Sequence, residues 1–515
     1  MTANRHIANN TRNISLPKQR HRVLSRWLSL GLITTIFAFT LAACSSNKPA
    51  SLTQNNAGES ESPLPTGLIT HSGRWLTDSS GRVLLFHGVN IVAKEAPFTP
   101  VADGFSNADA AFLASLGFRV VRVGVLASGL MPTPGQVDSN YIKQIAITVT
   151  TLANHGIYSL IDFHQDGWGP SIGSDGFPAW MTVTNGAVNT HASFPLYYIQ
   201  NPAIQAAFQS FWDNAPGPNG MNLQSDYTEM FSALATNFKT QPYVLGYDLF
   251  NEPWPGTVWV PCLSAANGCP TQDSNELDAA YSKVTKAIRA AGDSHLIFGE
   301  PFVLFNFGLA PTNIKIPGND SEAGMAFHDY PATTDKEPNV ISNAIAWSQK
   351  SGGALLNTEW GATSSAPDIL RETQEFDTKL VPWIFWSFDG SVVKNIALPP
   401  TGSNVVASTV GSLVQPYALA VAGTPKSDSY DPATKTLTFS YSTDKVTGGS
   451  FAPGSVTSFE IPNSIYPGGY SIQVQGGSAL SPKGSTACGT GLRSVGANSN
   501  AKTVTVVISP GHTCP

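Results

Sequence analysis

Val244-Leu245-Gly246-Tyr247-Asp248-Leu249-Phe250 runs directly into Asn251-Glu252-Pro253, and Ala354-Leu355-Leu356-Asn357-Thr358 runs into Glu359. A short apolar run bounded by Gly, Pro and polar residues reads as a buried parallel strand. A carboxylate at the carboxyl end of such a strand stands where an α/β barrel gathers its chemistry. Cleavage of a glycosidic bond requires two such groups. One is protonated and helps the leaving oxygen depart; the other is ionised and attacks the anomeric carbon or activates water. Either glutamate alone could cap the turn that follows it, but the pair points to chemistry.

Outward from these two runs, the chain alternates strand and helix up to about residue 415. Candidate strands are Val83 to Asn90, Phe118 to Val123, Tyr158 to Phe163, Val244 to Phe250, His295 to Phe298, Gly324 to His328, Ala354 to Thr358 and Trp383 to Ser387. Helical periodicity fills the gaps: Ile142, Ile145, Val149 and Leu152 share one face that Gly156 ends, as do Leu277, Tyr281, Val284 and Ile288 before Gly292. The expected fold is therefore α/β, a (β/α)8 barrel over residues 66–415. Arg74 to Asp78 and Gly81 to Leu84 flank a Ser-Ser-Gly turn and predict a hairpin plugging the barrel floor. The longest insertion runs from Gly167 to about Tyr243, and its stretch Gly173 to Trp180 is a candidate substrate-shaping loop. Beyond Pro416 the helical signal stops. Runs at 436–441, 457–461, 470–474 and 503–508 predict a small β-sandwich over residues 416–515.

The N-terminus has a different character. Six of the 29 basic residues and none of the 35 acidic ones precede Cys44, so a form starting there carries a formal charge of -12 rather than -6. Nucleic acid is excluded as a natural partner. Basic residues, then an apolar stretch from Trp27 to Ala43, then Leu41-Ala42-Ala43-Cys44 look like a lipoprotein export signal over residues 1–44. Lipidation at Cys44 would tie the chain to a bacterial envelope membrane. Residues 45–65 hold little to bury and read as a flexible tether. With Cys44 set aside, Cys262 with Cys269 and Cys488 with Cys514 form two natural disulfide pairs, which suits an oxidising compartment. No CxxC or HExxH spacing is present, so no metal site is expected.

Asn251-Glu252-Pro253, Glu359, Arg122 in Phe118-Arg119-Val120-Val121-Arg122-Val123, His164, His328-Asp329-Tyr330 and Trp386 together resemble glycoside hydrolase family five. Phe86-His87-Gly88-Val89-Asn90, the Lys94 to Pro100 loop and Asp162-Phe163-His164-Gln165-Asp166 are similar to its endoglycoceramidase branch. The resemblance implies a retaining enzyme without cofactor that separates an intact glycan from a lipid aglycone. It makes Glu252 the acid/base and Glu359 the nucleophile, with the charge of Glu359 raising the pKa of Glu252. A guanidinium in an apolar strand needs a carboxylate, and the family pattern makes Glu359 the partner of Arg122. Tyr330 would donate to the same nucleophile. Asn251 would hold the hydroxyl beside the reacting carbon, and Trp386 would offer a flat face to the sugar. Lys94, His164, Asp166 and His328 complete the expected substrate contacts. Glu95-Ala96-Pro97-Phe98 departs from the Pro and Tyr that usually follow the lysine, so the sugar series stays open. A β-glucanase, β-mannanase or β-glucosidase on the same fold, or a non-catalytic sugar-binding surface protein, are the competing readings.

Overall fold

The structure, a computed structural model, describes residues 63–331, 337–480 and 491–511. Cys44 with its leader, Cys488 and Cys514 lie outside the described residues. A hairpin of β1 (Thr70–Ser72), β2 (Trp75–Thr77) and β3 (Val83–Leu84) opens the fold. Eight parallel strands then close into a barrel: β4 (His87–Ile91), β5 (Val120–Leu126), β6 (Tyr158–His164), β7 (Val244–Asp248), β8 (Leu296–Gly299), β9 (Ala323–Asp329), β10 (Ala354–Trp360) and β11 (Trp383–Phe385). The expected helices are present. Ser139–Ala153 is capped by Asp138, whose carboxylate accepts from the amides of Asn140 and Tyr141. Ala279–Ala290 buries Tyr281, Val284 and Ile288.

The barrel interior is apolar in its lower layers, where Val120, Leu160, Leu245, Phe298, Leu356 and Ile384 meet. Side chains alternate along a strand, so Arg122 and Asp162, two residues beyond Val120 and Leu160, point inward one layer higher. Backbones crowd here: a Cβ on Gly246 would lie 2.1 Å from the Leu296 carbonyl oxygen.

The first expected strand is in fact two. The Leu85 amide donates to Leu419 of β12 (Tyr417–Val421), whereas the Phe86 carbonyl accepts from Trp383 of the barrel. Between those two residues the chain passes from one sheet to another. The hairpin continues through β3 into a seven-stranded sheet with β12, β15 (Val456–Ile461), β18 (Gly491–Ala497) and β17 (Gly477–Leu480). A four-stranded sheet of β13 (Thr424–Asp431), β14 (Thr436–Ser442), β19 (Thr503–Pro510) and β16 (Tyr470–Gln475) forms the second layer. Ile69 and Leu76 from the hairpin region, with Tyr417 and Leu419, pack against the lower barrel interior. The floor is thus sealed from both ends of the chain. Among the described residues no helix is long and apolar enough to cross a membrane.

Candidate active site

Glu252 is reached by continuing β7 beyond its last paired residue. The Leu249 amide donates to Phe298 and the Asn251 amide to Phe163, alternating between the two neighbouring strands. Glu252 then turns the chain with φ 44, a conformation uncommon for a residue with a Cβ. Its amide is held by Glu300 Oε2 at 2.9 Å, and its carbonyl accepts from Gln165 Nε2. Glu359 arrives by a different device. Ala354 and Leu356 face the interior, so strict alternation would send Glu359 outward. A β-bulge between Asn357 and Glu359 puts Glu359 in register with His328 and turns its carboxylate into the barrel mouth.

The two glutamates converge. A carboxylate oxygen of each, with a ring nitrogen of His328, lie within 4.8 Å of one another. That closeness fits the short spacing of a retaining pair, about 5 to 5.5 Å between carboxyls, better than the wider spacing of an inverting one. Glu252 Oε1 faces His328 Nδ1 at 2.9 Å and accepts from Asn306 Nδ2 at 3.2 Å. Glu359 Oε1 accepts from the Tyr330 hydroxyl at 3.0 Å, and its Oε2 from Arg122 Nη1 at 3.3 Å.

Arg122 is fully buried and serves more than Glu359. It also meets Asp162 at 2.8 Å and Asp248 and Glu300 at 2.9 Å. Burial opposes its charge, but these carboxylates outweigh that cost and hold it firmly protonated. His328 spans Glu252 and Glu300, the latter 3.0 Å from its Nε2. Burial works against its charge too, yet Glu300 and Glu359 raise its pKa well above the usual imidazole range. Burial pushes the Glu359 carboxyl up to about 7 against the pull of the His328 and Arg122 cations, and Glu252 adds to the rise. The expectation from sequence was that Glu359 would simply stay ionised. Instead burial shifts it toward the neutral form, so its ionisation depends on the two cations beside it.

Lys94, Asp166, Tyr330, Glu252, Glu359 and Trp386 line a cavity of about 490 Å³, together with Asp175, Phe194, Pro195, Tyr197, Tyr198 and Phe307. Lys94 ion-pairs with Asp166, lies 3.6 Å from Asp175 and stands 4.9 Å over the Trp386 ring. His164, Asn251 and His328, expected to touch substrate, and Arg122, expected to partner Glu359, are buried just beneath that lining. The reason is their engagement with the protein itself. His164 binds Asp162 through Nδ1 at 2.8 Å, and Trp386 stacks on its ring at 5.6 Å. Burial opposes its protonation, but Asp162 and Asp166 raise it to about 9. Asn251 accepts from Arg122 and donates to the Gln165 carbonyl, which leaves one amide hydrogen for a ligand.

Glu300 was missed in the sequence, although Leu296-Ile297-Phe298-Gly299-Glu300-Pro301 is a third apolar run ending in glutamate and proline. Asn306, which positions Glu252, carried no comparable signal. The predicted bond between Cys262 and Cys269 is present in the loop that follows Glu252.

Residues 88–391 match the family model described as cellulase, glycosyl hydrolase family 5. The chain belongs to glycosyl hydrolase family 5. Residues 415–508 match the C-terminal domain of the same family, and the protein is a glycoside hydrolase. It is 29% identical over 444 residues to endoglycoceramidase I of Rhodococcus hoagii, covering 82% of this chain and 85% of that protein. It is 30% identical over 348 residues to an endoglycoceramidase of Cyanea nozakii, covering 61% of this chain and 67% of that one. Among solved structures, endo-glycoceramidase II from Rhodococcus sp. with a five-membered iminocyclitol superimposes with a TM-score of 0.68 at 25% identity. That likeness covers 87% of this chain and all of the other.

Proposed function

We propose that the protein hydrolyses the bond between a glycan and a lipid aglycone with retention, as an endoglycoceramidase. The observation that carries this reading is the cavity. One part of its lining is polar, with Lys94, Asp166 and Asp175 beside Trp386. Another part, made by Phe194, Pro195, Tyr197, Tyr198 and Phe307, is aromatic and apolar. A sugar with an apolar leaving group matches both surfaces, whereas a soluble polysaccharide would leave the apolar part without a partner. The named activity of the relatives supports the same choice.

In this reading Glu359 attacks the anomeric carbon while Glu252 protonates the departing oxygen. Glu252 then takes a proton from the water that releases the glycan. Tyr330 and Arg122 orient the nucleophile and stabilise its charge. His328 and Asn306 hold Glu252 in line. The free hydrogen of Asn251 serves the hydroxyl beside the reacting carbon, and Trp386 stacks on the ring. Lys94 and Asp166 bind outer hydroxyls. The disulfide Cys262–Cys269 supports an exported chain, and lipidation at Cys44 with a second bond, Cys488–Cys514, completes the proposal for its envelope location.

The test sets a ganglioside or lactosylceramide against soluble β-glucan and β-mannan. Free ceramide and intact oligosaccharide are expected from the lipid, and Glu359→Gln is expected to lower that rate on the order of 10⁴-fold with the fold unchanged. Rapid glucan cleavage without ceramide release would overturn the reading.

A further inference from the structure

Three loops at the barrel mouth lack charge altogether. Residues 176–212, 253–272 and 301–314 contain no Asp, Glu, Lys or Arg, in a chain where 12% of residues are charged. They follow β6, β7 and β8, so all three rise from the carboxyl ends of the barrel strands. Aromatic contacts join the first two: Phe194 meets Tyr197 at 5.6 Å, Tyr197 meets Tyr198 at 4.6 Å, Tyr198 stacks on Trp254 at 5.3 Å, and Trp254 meets Trp259 at 5.4 Å. Asn313 Nδ2 donates to the Asn267 carbonyl at 2.8 Å and ties the third loop to the second. The surface they form is continuous with the catalytic cavity, because Phe194 and Phe307 line it.

The outer side chains of this surface are apolar and face water. Val188 is 69% exposed, Phe194 66%, Leu196 50%, Val258 49% and Val260 61%. Most of the exposed large apolar side chains among the described residues lie on these loops. A monomeric protein rarely keeps such a rim unless something covers it.

We propose that this rim is a docking surface for the uncharged face of a lipid bilayer or micelle. It would seat the cavity mouth on the layer from which the substrate's lipid is drawn. This docking role rests on the glycolipid reading given above. Two observations select the occupant. The surface opens onto the cavity wall that would receive the lipid aglycone. It also carries no cation, so it fits neutral headgroups and the outer acyl region instead of an anionic membrane. Binding therefore proceeds by inserting apolar side chains, and neither anionic lipid nor low salt strengthens it.

The experiment compares the wild-type chain with a Val188→Asp, Val260→Asp double variant; neither residue lines the cavity. A glycosylceramide in phosphatidylcholine vesicles is one substrate, and a monomeric aryl glycoside is the other. The double variant is expected to lose about tenfold or more on vesicles while retaining its rate on the aryl glycoside. Quenching of tryptophan fluorescence by substrate-free brominated phosphatidylcholine vesicles is expected to fall in parallel, at low and high salt alike. Equal rates and equal quenching in the two proteins would overturn the proposal, as would concentration-dependent self-association that the variant abolishes with no change on vesicles. If neither protein released ceramide from any presentation, the glycolipid reading would fail. The quenching arm, which contains no substrate, would still decide the docking.

Discussion

His328 acts on the titration of Glu359 through charge, and this coupling can be measured. With the nucleophile raised to about 7, kcat/KM of the free enzyme falls as pH drops through that value, because the attacking carboxylate becomes protonated. His328→Gln removes a cation that favours the ionised form of Glu359, so the acid limb moves to higher pH. An aryl glycoside with a leaving group that needs no protonation keeps the variant active enough to follow. A limb that stays in place would show that burial alone sets the shift. At this scale the two glutamates were legible because each ended an apolar run. Glu300 ends a third apolar run in the same way, but bond cleavage calls for only two carboxylates, so nothing in its residue type sets it apart. The aim of Glu359 was not legible: alternation pointed it outward, and only the bulge, which leaves no mark in residue type, turned it round.

Strands and helices were read from periodicity, and the eight barrel strands appear where apolar runs predicted them. The exception is the first, where Val83 to Asn90 reads as one run but serves two sheets. Both halves are equally buried, so hydrophobicity could not mark the crossing. In the sandwich, β13 escaped notice because Thr424–Asp431 is largely polar and buries only scattered residues. Gly246 belongs to this scale because the close spacing of β7 and β8 requires it. Gly246→Ala drives a methyl group to 2.1 Å from a backbone oxygen that no side-chain rotation relieves. It is expected to lower the melting temperature sharply or abolish soluble expression, as circular dichroism and yield would report. An unaltered melting curve would mean that the strands can separate at little cost.

For the whole molecule, the junction of barrel and sandwich contains a second buried acidic pair. Asp377, on helix Ala366–Lys379, accepts from Gln415 through both oxygens. Burial raises it to about 7. Asp428 of β13 is also raised, by burial and by the charge of Asp377. A carboxyl raised on folding stabilises the fold fully below its unfolded pKa, and that contribution is lost as pH climbs through its folded value. Between pH 4 and about 7 the junction therefore weakens. Asp377→Asn removes the loss, so its melting temperature is expected to exceed the wild type's by about 2–4 °C above pH 7 and to match it in acid. Equal melting temperatures at both pH values would refute this account. The two-part plan of the molecule is legible from where helical periodicity stops, but the sheet that joins its first strands to its last ones is not, because pairing between strands so far apart leaves no local pattern.

That shared sheet bears on how the chain is made. β3 finds its partner in β12, more than three hundred residues later. The opening hairpin therefore leaves the ribosome without its companion strand, and the lower end of the barrel stays unsealed until the final module emerges. A truncation after the last barrel strand would strand the hairpin's edge and uncover the floor, so the catalytic module cannot be cut free by trimming its tail.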